Sequence, residues 1–179
     1  SLTGGLGADS FYGGSGNDTL TGGEGADLFV FESTSTLNGK DTITDFTVGS
    51  NQDILDFSAF GLDGNATATV GSSLAATVYT ANPGASFDAT GKIVRLVDIA
   101  NGTDITTESG LRSALLFNGE YANIKLTTGK AIFITSASSN PGTNFVFYAS
   151  LSNSTINATL VGTLSNVDID GFVNNNFLI

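Results

Sequence analysis

Along the first thirty residues the large apolar side chains keep a fixed beat: Leu2, Phe11, Leu20 and Phe29 stand nine positions apart. The residues between them are mostly small or polar. The stretch is therefore not an amphipathic helix, whose apolar residues recur every three or four positions, nor an ordinary alternating strand. One inward side chain per nine residues fits a very short strand between two turns. A unit that small cannot bury its own apolar residue, so copies must stack into a solenoid to make a core.

After Gly61 the texture changes, which marks a boundary near residues 60–66. Apolar and polar residues alternate in 67–70, 76–80, 92–99, 122–128, 130–137, 143–150 and 156–164, and most of these segments are predicted strands. Gly129 alone turns the chain between Thr128 and Lys130, and SSNPG at 138–142 makes the next reversal. Residues 122–164 are accordingly expected to form an antiparallel meander. One helix interrupts the strands: TTESGLRSALLFNG places Thr106 or Thr107 at the N-cap, Glu108 in the first turn, Leu111, Leu115 and Leu116 on one face, and Gly119 past the end. Those leucines are expected to face the core.

The nine-residue beat carries more than its apolar residue. Gly4, Gly5, Gly7, Asp9 and Phe11 are repeated as Gly13, Gly14, Gly16, Asp18 and Leu20, and again as Gly22, Gly23, Gly25, Asp27 and Phe29, in the pattern GGxGxDxUx with U apolar. Leu2 occupies the apolar position of an earlier copy whose glycines are missing, so the chain is expected to be a piece of a longer array. Glycine permits strained backbone and lets main-chain carbonyls approach a ligand closely. Turns rich in carbonyl and carboxylate oxygen, stacked in register, make hard-oxygen cages suited to calcium. Composition alone would also allow a flexible Gly/Asp linker. A linker, however, has no reason to hold the apolar residue at a fixed phase.

The nonapeptides resemble the RTX (repeats-in-toxin) family of bacterial type I secreted proteins. The resemblance implies a right-handed parallel β-roll with two nonapeptides per coil, so that turns on one side lie eighteen residues apart. On that basis Asp9 and Asp27 would share a calcium with carbonyls of the 4–8 and 22–26 turns (Gly4, Gly5, Gly7, Gly22, Gly23, Gly25), while Asp18 lies opposite with Gly13, Gly14 and Gly16. The next segment, KDTITDFTVGSNQDILDFSAFGL, resembles the end of RTX arrays in secreted proteases and lipases. Asp41, Ile43, Asp45 and Phe46 match its D-x-I-x-D-F part; Asp53, Ile54, Asp56 and Ser58 match the strand that follows, with Leu55 and Phe57 as small departures. In that family an aspartate at the Asp41 position helps fill the last calcium site, which pairs Asp41 with Asp18. Asp45 is a further candidate, with capping of turns and strand ends as the alternative for it and for Asp56.

The tail ATLVGTLSNVDIDGFVNNNFLI, through Asp168, Asp170, Phe177, Leu178 and Ile179, resembles the last strands of cyanobacterial RTX surface proteins and hemolysin-like S-layer proteins. That likeness implies an uncleaved C-terminal type I export signal, and the same residues are equally suited to a last strand completing a sheet. The expected class is thus mainly all-β: a calcium-binding parallel β-roll with its closing segment over 1–63, then a mainly antiparallel β domain with one short helix over 64–179.

Charge fits this division. The formal net charge is −11, and residues 1–63 carry ten acids against Lys40, or −9, which leaves −2 for the remainder. Such a stretch repels itself until cations fix its turns. Its sign argues against nucleic acid or anionic lipid as partners. There is no cysteine, so calcium rather than disulfides would cross-link a secreted chain. No run of about 18 apolar residues predicts a transmembrane helix, and no N-terminal signal peptide is visible, though a piece of a longer chain would not show one.

Histidine is also lacking, and neither HExxH nor GxSxG occurs, so no nucleophile–base pair of those kinds is available. A pair of carboxylates could in principle serve a glycosidase, but Asp88, Asp98, Asp104 and Glu120 show no spacing that singles out a pair. The chain is expected not to be an enzyme. Three functions follow from these expectations: a calcium-folded structural and export module of a surface-layer-like protein, self-associating and handled by the type I apparatus; a module that binds envelope polysaccharide, for which Tyr79, Tyr121 and Tyr148 offer few rings; or an accessory domain of a secreted hydrolase or adhesin.

Overall fold

A computed structural model describes residues 1–49, 52–62, 78–81, 86–96, 105–115, 124–126, 129–137, 140–168, 171–172 and 176–179. The first six strands are β1 (Leu2–Leu6), β2 (Ser10–Tyr12), β3 (Thr19–Glu24), β4 (Leu28–Val30), β5 (Asp41–Ile43) and β6 (Ile54–Asp56), with a single helical turn α1 (Ser35–Asn38) between β4 and β5. Odd strands pair in parallel in one sheet and even strands in another. Each coil therefore contributes one strand to each sheet, as a roll requires. Leu2 lies opposite Leu20, and Phe11 opposite Phe29, an offset of eighteen residues. The offset widens to 23 between Leu20 and Ile43 because α1 lengthens the turn, and to 26 between Phe29 and Leu55.

The remaining strands are β7 (Val78–Ala81), β8 (Phe87–Asp88) and β9 (Ile93–Leu96), then helix α2 (Glu108–Leu115), then β10 (Ile124–Lys125), β11 (Lys130–Ala137), β12 (Asn140–Ser152), β13 (Thr155–Ser165) and β14 (Phe177–Leu178). The roll does not stop at its own strands. Its odd sheet continues through β13 into an eight-stranded sheet ordered β1-β3-β5-β13-β12-β11-β9-β7, and its even sheet ends on β14, in the order β14-β6-β4-β2. Both joins are parallel: Gly162 faces Asp41, and Phe177 faces Leu55.

The expected meander holds for β11, β12 and β13, which are antiparallel neighbours. It does not extend back to 122–128. β10 instead pairs in parallel with β8, and β9 lies parallel to β11. The reason is the connection: the chain from β9 to β11 carries α2, and a crossover of that length returns the next strand in the same direction. The segment expected at 67–70 and the position of the boundary beyond Leu62 lie outside the described residues.

Alternation along the long strands divides the apolar residues between two cores. Ile132, Ile134, Val146, Val161 and Leu164 face the roll, where they meet its repeat residues Phe11, Leu20 and Phe29 and the closing residues Ile43, Leu55 and Phe57. Rings run through this core: Phe11 stacks on Phe29 at 5.0 Å, and Phe57 on Phe177 at 6.5 Å. Ala131, Phe133 and Ala149 face the other way, onto Leu111, Ala114 and Leu115 of α2. Thr107 is the N-cap, its hydroxyl accepting from Gly110 N–H at 3.1 Å, while Leu116 and Gly119 lie outside the described residues. Each fully buried Leu or Phe contributes about 1.5–3 kcal/mol, so the nonapeptide phase is held by the two-sheet core and not by local turns alone.

Candidate metal centre

Because strands alternate between the two sheets, successive turns fall on opposite sides of the roll. The turns after β1, β3 and β5 carry Asp9, Asp27, Asp45 and Asp53; the turns after β2 and β4 carry Asp18 and lead into Asp41. Main-chain bonds hold each stack in register. Leu28 N–H donates to Asp9 O at 2.8 Å, Ile54 N–H to Asp27 O at 2.8 Å, and Thr42 N–H to Asp18 O at 2.7 Å.

The carboxylates repeat the same ladder. Asp27 Oδ1 accepts from Asp9 N–H at 2.9 Å, and Asp41 Oδ1 accepts from Asp18 N–H at 2.9 Å. Both pairs singled out in the sequence are thus brought together, on opposite sides of the roll. The glycines make this approach possible. A methyl group on Gly4 would collide with Asp9 Oδ2 and the carbonyl of Gly22, one on Gly22 with Asp27 Oδ2, and one on Gly13 with Asp41 Oδ2. At Gly25 the backbone has φ 135°, and a side chain there would run into the carbonyl of Gly7. A side chain at Gly23 would likewise run into the carbonyl of Gly5, whereas one added at Gly5, Gly7, Gly14 or Gly16 would point into open space.

Negative charge in these turns is poorly compensated. Asp27 is 1% exposed and its Oδ2 has no hydrogen-bond partner. Burial pushes its carboxyl above the usual range, and the charges of Asp53, Asp9 and Asp45 add to the rise against the opposing Asp9 hydrogen bond. Asp41 is raised from 3.8 to about 6, first by burial and then by Asp18 and Glu32, against the hydrogen bond from Asp18. Lys40, the one base in residues 1–63, pairs with Glu108 at 3.4 Å rather than with the stack. The amino group of Ser1 lies 3.2 Å from Asp18 Oδ1.

Asp45 has a different arrangement: its two oxygens accept from Gly22 N–H and Gly23 N–H, each at 2.9 Å, the geometry of a turn cap. Asp56 likewise accepts from Ser58 N–H at 2.8 Å. Asp53, not singled out as a ligand from the sequence, stands to Asp27 as Asp27 stands to Asp9. Its Oδ1 accepts from Asp27 N–H at 2.8 Å. The spacing of 26 residues in place of 18 hides this equivalence from a search for the repeat.

No three acidic, His or Cys side chains converge as a metal group among the described residues. A cation in these stacks would therefore be held by paired carboxylates and main-chain carbonyls. Hard oxygen donors, a buried carboxylate oxygen without a partner and glycine-lined clearance beside each carboxylate fit a hard divalent ion. The family model of the RTX calcium-binding nonapeptide repeat, in four copies, matches residues 1–30. Residues 1–30 are RTX repeats. Among curated proteins, none matches the chain.

The RTX repeats are calcium-binding structural modules, and calcium is the ion for which the donor set of this roll is suited. When bound, calcium supplies the positive charge that the turns lack. Asp9, Asp18 and Asp27 belong to the RTX match, whereas Asp41, Asp45 and Asp53 follow it and join the stacks through the fold. The residues offered as rings for sugar binding are placed otherwise: Tyr148 packs against Phe60 at 4.8 Å, and Tyr121 lies outside the described residues, as does the side chain of Tyr79.

Proposed function

We propose that the chain is the non-catalytic, calcium-folded C-terminal module of a secreted bacterial protein held at the cell surface, in the manner of a surface layer. Asp9 and Asp27 share one ion and Asp18 and Asp41 another, with main-chain carbonyls from the Gly4–Gly7, Gly13–Gly16 and Gly22–Gly25 turns. The observation that carries this assignment is Asp27 Oδ2, buried without a partner inside a ladder of aspartates. Residues 1–63 are the calcium-dependent part. Residues 64–179 provide the platform on which the roll closes through β13 and β14, and the tail serves as the type I export signal before it folds.

Calcium is scarce in the cytosol, and extracellular calcium modules half-fill at about 0.1–1 mM. A segment at −9 stays open inside the cell and passes a secretion channel as an extended chain. Outside, filling the cages adds its free energy to folding, about 2.7 kcal/mol for one site at a hundredfold excess over its dissociation constant. The test is a calcium titration of the full chain, starting in chelator, followed by circular dichroism and calorimetry. Gain of β signal and heat of binding at millimolar calcium are expected. A spectrum and a melting temperature that stay unchanged across the titration would remove calcium-coupled folding.

The alternative, an accessory or envelope-binding module of a hydrolase or adhesin, draws on a groove of about 360 Å³ lined by Lys40, Thr106, Thr107, Glu108, Ser109, Arg112 and Leu160. Six polar residues and Leu160 line it, and none offers a ring for a sugar face.

A further inference from the structure

The strand that closes the odd sheet of the roll is irregular at one point. Leu160 of β13 lies opposite Phe147 and Gly162 opposite Val146, so the register with β12 shifts and Val161 is left without a partner residue. Pairing with β5 begins just after it, at Gly162 and Asp41. Such an irregularity takes main-chain groups out of the ladder, and where these are buried they need other partners. Side chains supply them. Asn38 Nδ2 donates to the carbonyl of Val161 at 2.8 Å. Leu160 N–H donates to Glu108 Oε1 at 3.0 Å, and that same oxygen pairs with Lys40 at 3.4 Å.

Asn38 and Lys40 belong to the lengthened turn that leads into Asp41. Asn38 is fully buried, and its Oδ1 accepts from Glu32 N–H at 3.0 Å, which ties the two ends of that turn together. Gly39 passes against the carbonyl of Gly16, and Lys40 N–H donates to that carbonyl at 3.2 Å and to Asn17 Oδ1 at 3.1 Å. The next residue is Asp41, whose Oδ1 accepts from Asp18 N–H at 2.9 Å. The Asp9–Asp27 pair is held differently, through roll residues: Gly7 N–H donates to Glu24 O at 2.7 Å, and Leu28 N–H to Asp9 O at 2.8 Å.

We infer that Asn38 is a positioning residue for the cation shared by Asp18 and Asp41, and that filling this site, unlike the one at Asp9 and Asp27, is coupled to docking of the roll on β13. Asn38 touches no ligand oxygen of the ion. It fixes the turn that presents Asp41 by fastening it to the irregular point of the platform strand. Coupling of this kind is reciprocal: docking strengthens the ion's hold, and the ion strengthens docking by the same factor.

This inference rests on the reading that the roll binds calcium at both aspartate pairs. Calcium binding to the full chain is measured by calorimetry for wild type and Asn38→Ala, and for each of these combined with Asp41→Asn or with Asp9→Asn. Asn38→Ala is expected to weaken binding about tenfold in the wild-type and Asp9→Asn backgrounds, the low end of what loss of a partner behind a metal ligand costs. In the Asp41→Asn background it is expected to leave the residual binding unchanged. A merely structural role would act alike in both backgrounds. Amide exchange at Leu160 to Gly162 gives the reciprocal reading and decides the matter if Asn38→Ala does not fold. Calcium should slow that exchange in the chain without Asn38→Ala, the slowing should persist in Asp9→Asn, and it should be lost in Asp41→Asn. A wild type that binds no calcium overturns the proposed function together with this coupling. Calcium binding in which Asn38→Ala has no effect or the same effect in both backgrounds, or exchange at 160–162 that does not respond to calcium through Asp41, overturns the coupling alone.

Discussion

Replacing Asp41 with asparagine should have opposite effects on the metal-free and the calcium-loaded protein. Asp41 is 3% exposed, and burial, aided by the charges of Asp18 and Glu32, raises its carboxyl from 3.8 to about 6. That rise corresponds to at most about 3 kcal/mol between the protonated and ionised forms. The folded state holds this proton more tightly than the unfolded chain does. In chelator, the contribution of Asp41 to stability is therefore greatest below about pH 4 and is lost as pH rises through about 6. Calcium reverses the sign, because the ion requires the ionised carboxylate and binds more strongly over the same interval.

Asparagine keeps an oxygen for Asp18 N–H and carries no charge. In chelator near pH 7 the variant should melt higher than wild type, at about 2–4 °C per kcal/mol for a chain of this size. The difference should vanish near pH 4. In saturating calcium the order should invert, with the variant melting lower and needing more calcium to reach its midpoint. The assay is thermal unfolding of the full chain by circular dichroism at a series of pH values, once in chelator and once in calcium. A difference between variant and wild type that is independent of pH, or of the same sign in both series, would refute the electrostatic account of this pair.

Phe29→Ala should destabilise the full chain by about 3–5 kcal/mol, measured by chemical denaturation, since the ring is buried and stacked on Phe11 at 5.0 Å. Asn176→Ala removes two bonds between tail and roll, from its Nδ2 to Asp53 O at 2.8 Å and to its Oδ1 from Gly49 N–H at 3.2 Å. A loss of roughly 1–3 kcal/mol is expected, with faster amide exchange in β14 and β6 than in β11 or β12. Thr107→Ala should cost about 1 kcal/mol through the lost N-cap, with no change in calcium stoichiometry by calorimetry, because α2 packs on the face of the long sheet turned away from the roll core. Gly25→Ala should weaken calcium binding in a dialysis experiment, because a methyl group there meets the carbonyl of Gly7 and forces the stacked turns apart.

Much of the roll was legible because its information is local and periodic. Phe11, Leu20 and Phe29 announce their inward position by phase alone, and the eighteen-residue coil follows once two strands per coil are assumed. The Asp9–Asp27 ladder is a direct consequence of that spacing. Asp18 and Asp41 meet despite a spacing of 23, and there the closing D-x-I-x-D-F motif, not the period, pointed to the partner. Asp53 and Asn176 were out of reach. Asp53 sits 26 residues from its partner after irregular turns, and Asn176 bonds to a carbonyl 123 residues away.

By itself, then, the sequence determined the repeat, its inward residues, the acidic turns and the alternation of the long strands, since each depends on side-chain type at short separation. Tertiary structure decided which strands the roll would acquire. β13 and β14 occupy the open edges of β5 and β6 because those edges offer unpaired main-chain groups beside a half-built apolar core. Phe172 and Phe177 complete that core, in contact at 5.2 Å. No local pattern encodes such a join. It is chosen by the burial of Val161, Leu164 and Phe177 against residues more than a hundred positions earlier. On the roll side of the join, Asp27, Asp41 and Asp53 are buried carboxylates within the stacked acidic turns.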